Sequence, residues 1–251
     1  SGKILIRNLN FSYRNRDAFN LRGISIEVQA GEWLGVVGKV GAGKSTLLKM
    51  LTRLLSVPPG SVFLDGHEIF SYPLGQLRKE VVFVMQDSFL FDEPIFSNIS
   101  YDKPDRDIGD VWKAADSAKI SDSIAGFPKK MQTVVGERGV TLSGGQKQRT
   151  TLARGFVRDA SILVLDDCFS SVDTETEEHI LLQLKELRKN KTTIIVSHRV
   201  STLRHADRII YMEDGAVKET GSHTELINKR GSYYKLEKAQ NLSDDAVAEL
   251  T

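Results

Sequence analysis

Gly38-Lys39-Val40-Gly41-Ala42-Gly43-Lys44-Ser45-Thr46 follows the apolar run Trp33 to Val37 and opens a stretch, Lys44 to Leu55, with apolar residues three and four apart. A glycine-rich turn between a strand and a helix suits phosphate. Glycines at 38, 41 and 43 let the backbone curl so that successive N–H groups converge on anionic oxygens, and the helix N-terminus adds its dipole. Within the spacing G-x-x-x-x-G-K-[ST], Lys44 reaches β- and γ-phosphates as a point charge and Ser45 offers a hydroxyl to Mg²⁺. Thr46 can add a phosphate hydrogen bond. A glycine turn without a ligand would leave the flanking strand and helix patterns a coincidence.

The rest of the chain repeats the alternation. Val81 to Val84, Ile162 to Leu165 and Thr192 to Val196 are short, nearly continuous apolar runs, as parallel strands covered on both faces require. Gln146 to Val157 and Glu175 to Leu187 carry helical spacing between them. This predicts an open α/β sheet. Lys3 to Tyr13 and Ile24 to Val28 alternate instead, predicting an antiparallel sheet edge near the N-terminus. Residues 87–158 break the rhythm with helical signals such as Val111 to Ala118 and turns near Pro94, Pro104 and Pro128, so they read as a helical insertion within a core of 1–86 and 159–240. Asp207 to Thr220 predicts a hairpin turning at Asp214-Gly215, followed by a helix capped by Ser222 or Thr224. The polar residues 241–251 read as a tail.

Two further strands end in chemistry-bearing side chains. Ile162-Leu-Val-Leu-Asp166 carries a carboxylate to the crevice at the strand ends, where it can partner Mg²⁺ through water; a helix N-cap is the alternative. Ile194-Ile-Val-Ser-His198 places an imidazole there, able to donate to a γ-phosphate or orient an attacking water. His67, His179, His205 and His223 lack such placement. Leu142-Ser143-Gly144-Gly145-Gln146 precedes a helix, with Ser143 as N-cap and two glycines that admit an anion close to the backbone.

Composition excludes more than it identifies. Over 251 residues, 34 basic side chains meet 33 acidic ones, so no charge excess points to a nucleic-acid partner. One cysteine, Cys168, rules out an internal disulfide; beside a strand end it reads as a small buried residue, with a redox role as the alternative. No apolar run approaches the roughly 18 to 20 residues that span a bilayer, and Ser1 to Asn10 is not a signal peptide. The opening serine, directly before strand-like sequence, suggests an excised soluble domain.

Taken together, Gly38 to Thr46, Leu142 to Gln146, Asp166 and His198 resemble the nucleotide-binding domain of an ATP-binding cassette (ABC) transporter over nearly the whole chain. The resemblance implies a P-loop NTPase (RecA-like) core with an N-terminal antiparallel β subdomain and an inserted α-helical subdomain. It implies ATP and Mg²⁺ as cofactors, and Tyr13 stacking on adenine. It further implies Gln86 touching Mg²⁺ and signalling to a transmembrane domain, and Ser170-Ser171-Val172-Asp173 as a loop, led by Ser171 and Asp173, that contacts a second nucleotide-binding domain. Thr133-Val-Val-Gly-Glu-Arg-Gly139 resembles the segment by which exporters of the family meet their coupling helices, favouring an exporter over an importer at the cytoplasmic face of a membrane. A soluble ABC ATPase would instead carry a long coiled-coil insertion, a second cassette or a basic face, and a small-molecule kinase would not explain Leu142 to Gln146.

In the family two such domains pair head to tail, the phosphate loop of one and the Ser-Gly-Gly of the other enclosing ATP. One departure stands out: Asp167 occupies the position of the family's water-polarising glutamate. One methylene shorter, it falls roughly 1 Å or more short of the water, a misplacement that can cost about a hundredfold. The expectation is a site that binds ATP but hydrolyses it poorly, in one half of a heterodimeric exporter; the alternative is a homodimer with Asp167 as working base.

Overall fold

The computed structural model describes residues 1–13, 20–136 and 140–248, and of 243–248 the backbone alone. Along the chain, β1 (Ile4–Phe11) and β2 (Leu21–Val28) precede β3 (Trp33–Gly38) and α1 (Lys44–Leu51). Then come β4 (Val62–Leu64), β5 (His67–Glu68), α2 (Leu74–Glu80) and β6 (Val81–Val84). Four helices follow: α3 (Ile95–Ile99), α4 (Ile108–Ser117), α5 (Ser121–Ala125) and α6 (Gly144–Phe156). The chain returns through β7 (Ile162–Asp166), α7 (Thr174–Leu187), β8 (Thr192–Val196) and α8 (Val200–Leu203). It finishes with β9 (Arg208–Glu213), β10 (Ala216–Gly221), α9 (His223–Lys229) and α10 (Ser232–Ala248).

The main sheet runs β10-β9-β3-β8-β7-β6, parallel except for the β9–β10 hairpin. Its apolar runs serve two cores. Ile162, Val164, Ile194 and Val196 face one, with α1 and the N-terminal strands, while Leu163, Leu165 and Ile195 face the other, with the inserted helices and α7. Alternating side chains on opposite faces need this double burial, which is why these strands look uniformly hydrophobic.

The N-terminal strands build the expected antiparallel β subdomain, a second sheet of order β2-β1-β4-β5. Two expectations are corrected. The helix from Lys44 ends at Leu51 rather than Leu55, because Arg53 turns left-handed (φ 51°) to send the chain towards that second sheet. Leu55 still packs against the core below, which explains its helix-like spacing. The C-terminal polar residues continue α10 to Ala248 instead of leaving it at 240. Ser143 caps α6 as expected, so the helix begins at Gly144.

Candidate functional site

The phosphate loop leaves β3 between β8 and β9 and enters α1. Its glycines have separate reasons. At Gly38 (φ 152°) a Cβ would lie 2.0 Å from the Met212 carbonyl oxygen, and at Gly43 (φ 94°) 2.7 Å from that of Asn20. Gly41 (φ 82°) has open space around it and needs only its backbone conformation.

Lys44 is buried, and its Nζ folds back to the carbonyls of Gly38 (2.7 Å) and Lys39 (2.9 Å). Burial pushes its pKa down, against the opposing pull of Asp166 and Asp167. A cation held this way gains by meeting an anion. Ser45 donates its hydroxyl to Asp166 (3.2 Å), the last residue of β7. Burial raises the Asp166 carboxyl above its usual range; the Ser45 hydrogen bond opposes the shift and the neighbouring Asp167 adds to it.

A cleft of about 290 Å³ brings Tyr13, Gly41, Gly43, Lys44, Ser45, Thr46, Gln86, Asp166, Asp167 and His198 together. Tyr13 sits at its rim, its hydroxyl 3.3 Å from that of Thr46 and its ring edge-on to Phe11. Asn20, which sequence reasoning passed over, also lines the cleft: its side chain accepts from the Tyr13 N–H (3.2 Å), while its carbonyl confronts Gly43.

Asp167 adopts a left-handed conformation (φ 50°) with its N–H on the Val196 carbonyl of β8 (2.9 Å). That bend turns its carboxylate into the cleft. Gln86 donates to Oδ2 at 3.2 Å, the His198 N–H points at Oδ1 at 3.4 Å, and His198 Nε2 lies 3.6 Å from Oδ2. Cys168 is buried, its Sγ 3.2 Å from the Val84 carbonyl oxygen, and burial pushes the thiol well up, which removes the thiolate that redox chemistry needs.

Leu142 to Gln146 does not line this cleft. Ser143 and Gln146 form a reciprocal capping box, Gln146 N–H to Ser143 Oγ (3.2 Å) and Ser143 N–H to Gln146 Oε1 (3.0 Å). Leu142 is buried as an anchor, whereas Ser143 and Gly144 are exposed. A Cβ on Gly145 would lie 2.8 Å from the Ser171 carbonyl oxygen, and Gln148 of α6 accepts from the Ser171 N–H (2.8 Å). Asp173 caps α7 through the Thr176 N–H. The Ser-Gly-Gly turn and the 170–173 loop are thus braced as one exposed unit. In Thr133 to Gly139, Val134 bridges Pro94 and Val135 bridges Val140, while residues 137–139 lie outside the described residues.

The profile of the family described as ABC transporter matches residues 21–170, more than half of the chain. This chain belongs to the ABC transporter family. It is 42% identical over 241 residues to an ATP-dependent lipid A-core flippase of Photobacterium profundum, an alignment covering 96% of this chain and 41% of the relative. The flippase of Escherichia coli (strain K12) is 39% identical over the same shares. A solved bacterial Atm1-family ABC exporter with ATP bound superposes with a TM-score of 0.91 at 38% identity, covering 96% of this chain and 42% of that one. This ABC chain therefore spans about two fifths of the length of the curated relatives it matches. Among its described residues no helix is long and apolar enough to cross a membrane.

Proposed function

We propose that this chain binds and hydrolyses Mg²⁺-ATP as the engine of a membrane exporter, working in a pair with a second nucleotide-binding domain. One observation carries the reading: Lys44, Ser45, Asp166 and His198 converge on one cleft, while Ser143 and Gly144 stand exposed elsewhere. Such a chain holds one half of each of two ATP sites, and a second protein must close the cleft. Lys44, the loop amides and Thr46 hold the phosphates, Tyr13 carries the adenine, and His198 meets the γ-phosphate. The donor set of Ser45, Asp166 and Gln86 is all hard oxygen and suits Mg²⁺, and the elevated Asp166 pKa marks a carboxylate that a cation would relieve. When bound, that ion neutralises phosphate charge.

The family relatives and the Atm1-type exporter support export at a membrane's cytoplasmic face. So does an exposed apolar surface beside Gln86, comprising Met85, Phe89 and Tyr101, which suits a transmembrane domain's coupling helices. Two measurements test the proposal. Lys44→Ala should weaken Mg²⁺-ATP binding about 10- to 100-fold, the worth of a charge-assisted contact. Ser143→Arg should leave that binding intact and abolish ATP-dependent pairing. Unchanged nucleotide affinity in Lys44→Ala would defeat the reading.

The shorter carboxylate at 167 supports a finer reading: the site on this chain's own phosphate loop hydrolyses slowly, and the intact Ser143-Gly144-Gly145 completes the active site of a non-identical partner. Asp167→Glu in the assembled transporter should raise turnover if the missing methylene limits it, by up to about a hundredfold at this site. A homodimer with Asp167 as base has one observation in its favour, since the carboxylate already lies in the cleft against Gln86 and His198. In that case Asp167→Asn would stop ATP turnover altogether.

A further inference from the structure

We propose that Gln240 is a positioning residue for His198, and that helix α10 thereby sets how sharply this chain distinguishes ATP from ADP. The inference rests on the reading above that His198 meets the γ-phosphate.

His198 sits on a connection held only in part from within: Ser197 Oγ accepts from the Arg199 N–H (3.0 Å) and the Arg199 side chain reaches Glu177, but the Val200 N–H and the His198 carbonyl turn to another element. The connection joins β8 to α8, a helix of four residues whose N-cap, Arg199, supplies no capping side chain. The first N–H groups of any helix lack intrahelical acceptors, and a helix this short is not stable by itself. Gln240 provides what is missing from another element. Its Oε1 accepts from the Val200 N–H (2.9 Å), and its Nε2 donates to the His198 carbonyl. The amide can point only one way, because the N–H of Val200 demands the oxygen and the carbonyl of His198 demands the nitrogen. One side chain therefore fixes the peptide groups on both sides of Arg199, and with them the direction in which the His198 Cα–Cβ bond leaves the backbone.

Helix α10 is itself held firmly enough to act as a reference. Tyr233 is fully buried, its hydroxyl 2.9 Å from His223 Nδ1, and Glu237 pairs with Arg204 at 2.8 Å. Arg204 is the C-cap of α8, so Glu237 grips the end of the short helix and Gln240 its beginning. Residues 233, 237 and 240 follow the i, i+4, i+7 spacing that places them on one face. By contrast the imidazole is half exposed, and its own backbone N–H reaches Asp167 only at 3.4 Å. Losing Gln240 leaves the histidine backbone without its closest hydrogen-bond partner.

Equilibrium affinities of the full 251-residue chain for Mg²⁺-ATP and Mg²⁺-ADP test this in wild type, Gln240→Met, Gln240→Glu, His198→Ala and Gln240→Met combined with His198→Ala. Gln240→Met keeps the length and removes both hydrogen bonds. It should weaken ATP about 5- to 10-fold, the worth of an ordinary hydrogen bond and part of what a well-placed His198 would contribute, with ADP affinity unchanged. Gln240→Glu keeps the acceptor for Val200 and should fall between wild type and Gln240→Met. Once His198 is alanine, adding Gln240→Met should cost nothing further for ATP. Equal losses for ATP and ADP would mean that Gln240 only stabilises the fold, and an additive double variant or an unchanged Gln240→Met would also overturn the proposal. If His198→Ala itself leaves the ATP-to-ADP ratio untouched while Lys44→Ala still destroys binding, the γ-phosphate reading of His198 fails, and the role of Gln240 falls with it.

Discussion

Asp166 is buried at the end of β7, where desolvation outweighs the help its carboxylate draws from Ser45 and Lys44. Burial raises its pKa above the usual 3.8, so folding favours its protonated form. The sign follows: its contribution to stability is complete below the unfolded pKa and is lost as pH rises through the folded one. At neutral pH the unliganded protein therefore carries an uncomfortable charge. Asp166→Asn is expected to raise the melting temperature of the nucleotide-free protein by about 2 °C, the change that some 1 kcal/mol produces in a chain of this size. The gap between variant and wild type should shrink as pH falls towards about 4, the ordinary carboxylate range, while stabilisation by Mg²⁺-ATP disappears in the variant. Thermal melts across pH with and without nucleotide check both halves. Asp166, Lys44 and Ser45 could be found from sequence because local spacing dictates their placement. Asn20 and Gln240 could not, since each acts through a contact that the fold, and no motif, creates.

The α6 capping box shows what a single turn can announce. Serine followed three residues later by glutamine states the helix start outright, whereas α2, with Leu77 as its buried residue, and the two- and three-residue strands β5 and β4 are too short to display any period. The length of α1 is hidden for the opposite reason: Leu55 keeps helical spacing after the backbone has already turned at Arg53. What the pattern of α6 does not reveal is its bracing against the 170–173 loop. Gly145→Ala would put a methyl 2.8 Å from the Ser171 carbonyl oxygen, a backbone atom that cannot rotate away. We expect a loss of about 1 to 3 kcal/mol in denaturant unfolding, the usual cost of an overpacked contact. Gly144→Ala, with 3.6 Å to the Ser171 side chain, should cost well under half of that.

Between the 170–173 loop and the histidine loop lies a buried charge. Glu177 is 3% exposed, and Arg199 reaches it at 2.6 Å while also donating to the Val172 carbonyl (3.0 Å). Thr202 donates to the other carboxylate oxygen. Arg199 is itself part-exposed and water can take over its charge, so Glu177→Ala should cost about 1 to 3 kcal/mol in urea titration, the worth of hydrogen bonds to a charged group, and Glu177→Gln clearly less.

On the proposed reading the whole molecule presents half-sites, and this makes pairing testable without knowing the partner. Lys44→Ala ruins the phosphate loop and leaves the Ser-Gly-Gly turn intact; Ser143→Arg does the reverse. If two copies of this chain pair, mixing the two inactive variants forms mixed dimers in about half of all pairs, each with one sound site, and about a quarter of wild-type turnover returns. A non-identical partner gives the opposite result. The mixture, made without that partner, then stays silent, because the sound phosphate loop of one chain never meets the sound turn of the other. On that reading, Ser143→Arg abolishes the turnover of the assembled transporter, since Ser143 completes the partner's fast site, whereas Lys44→Ala, which strikes a site already slowed by Asp167, lowers it only in part. The shortened carboxylate predicts the silent mixture, and ATP turnover of the mixed variants, reconstituted at equal amounts, decides between the two.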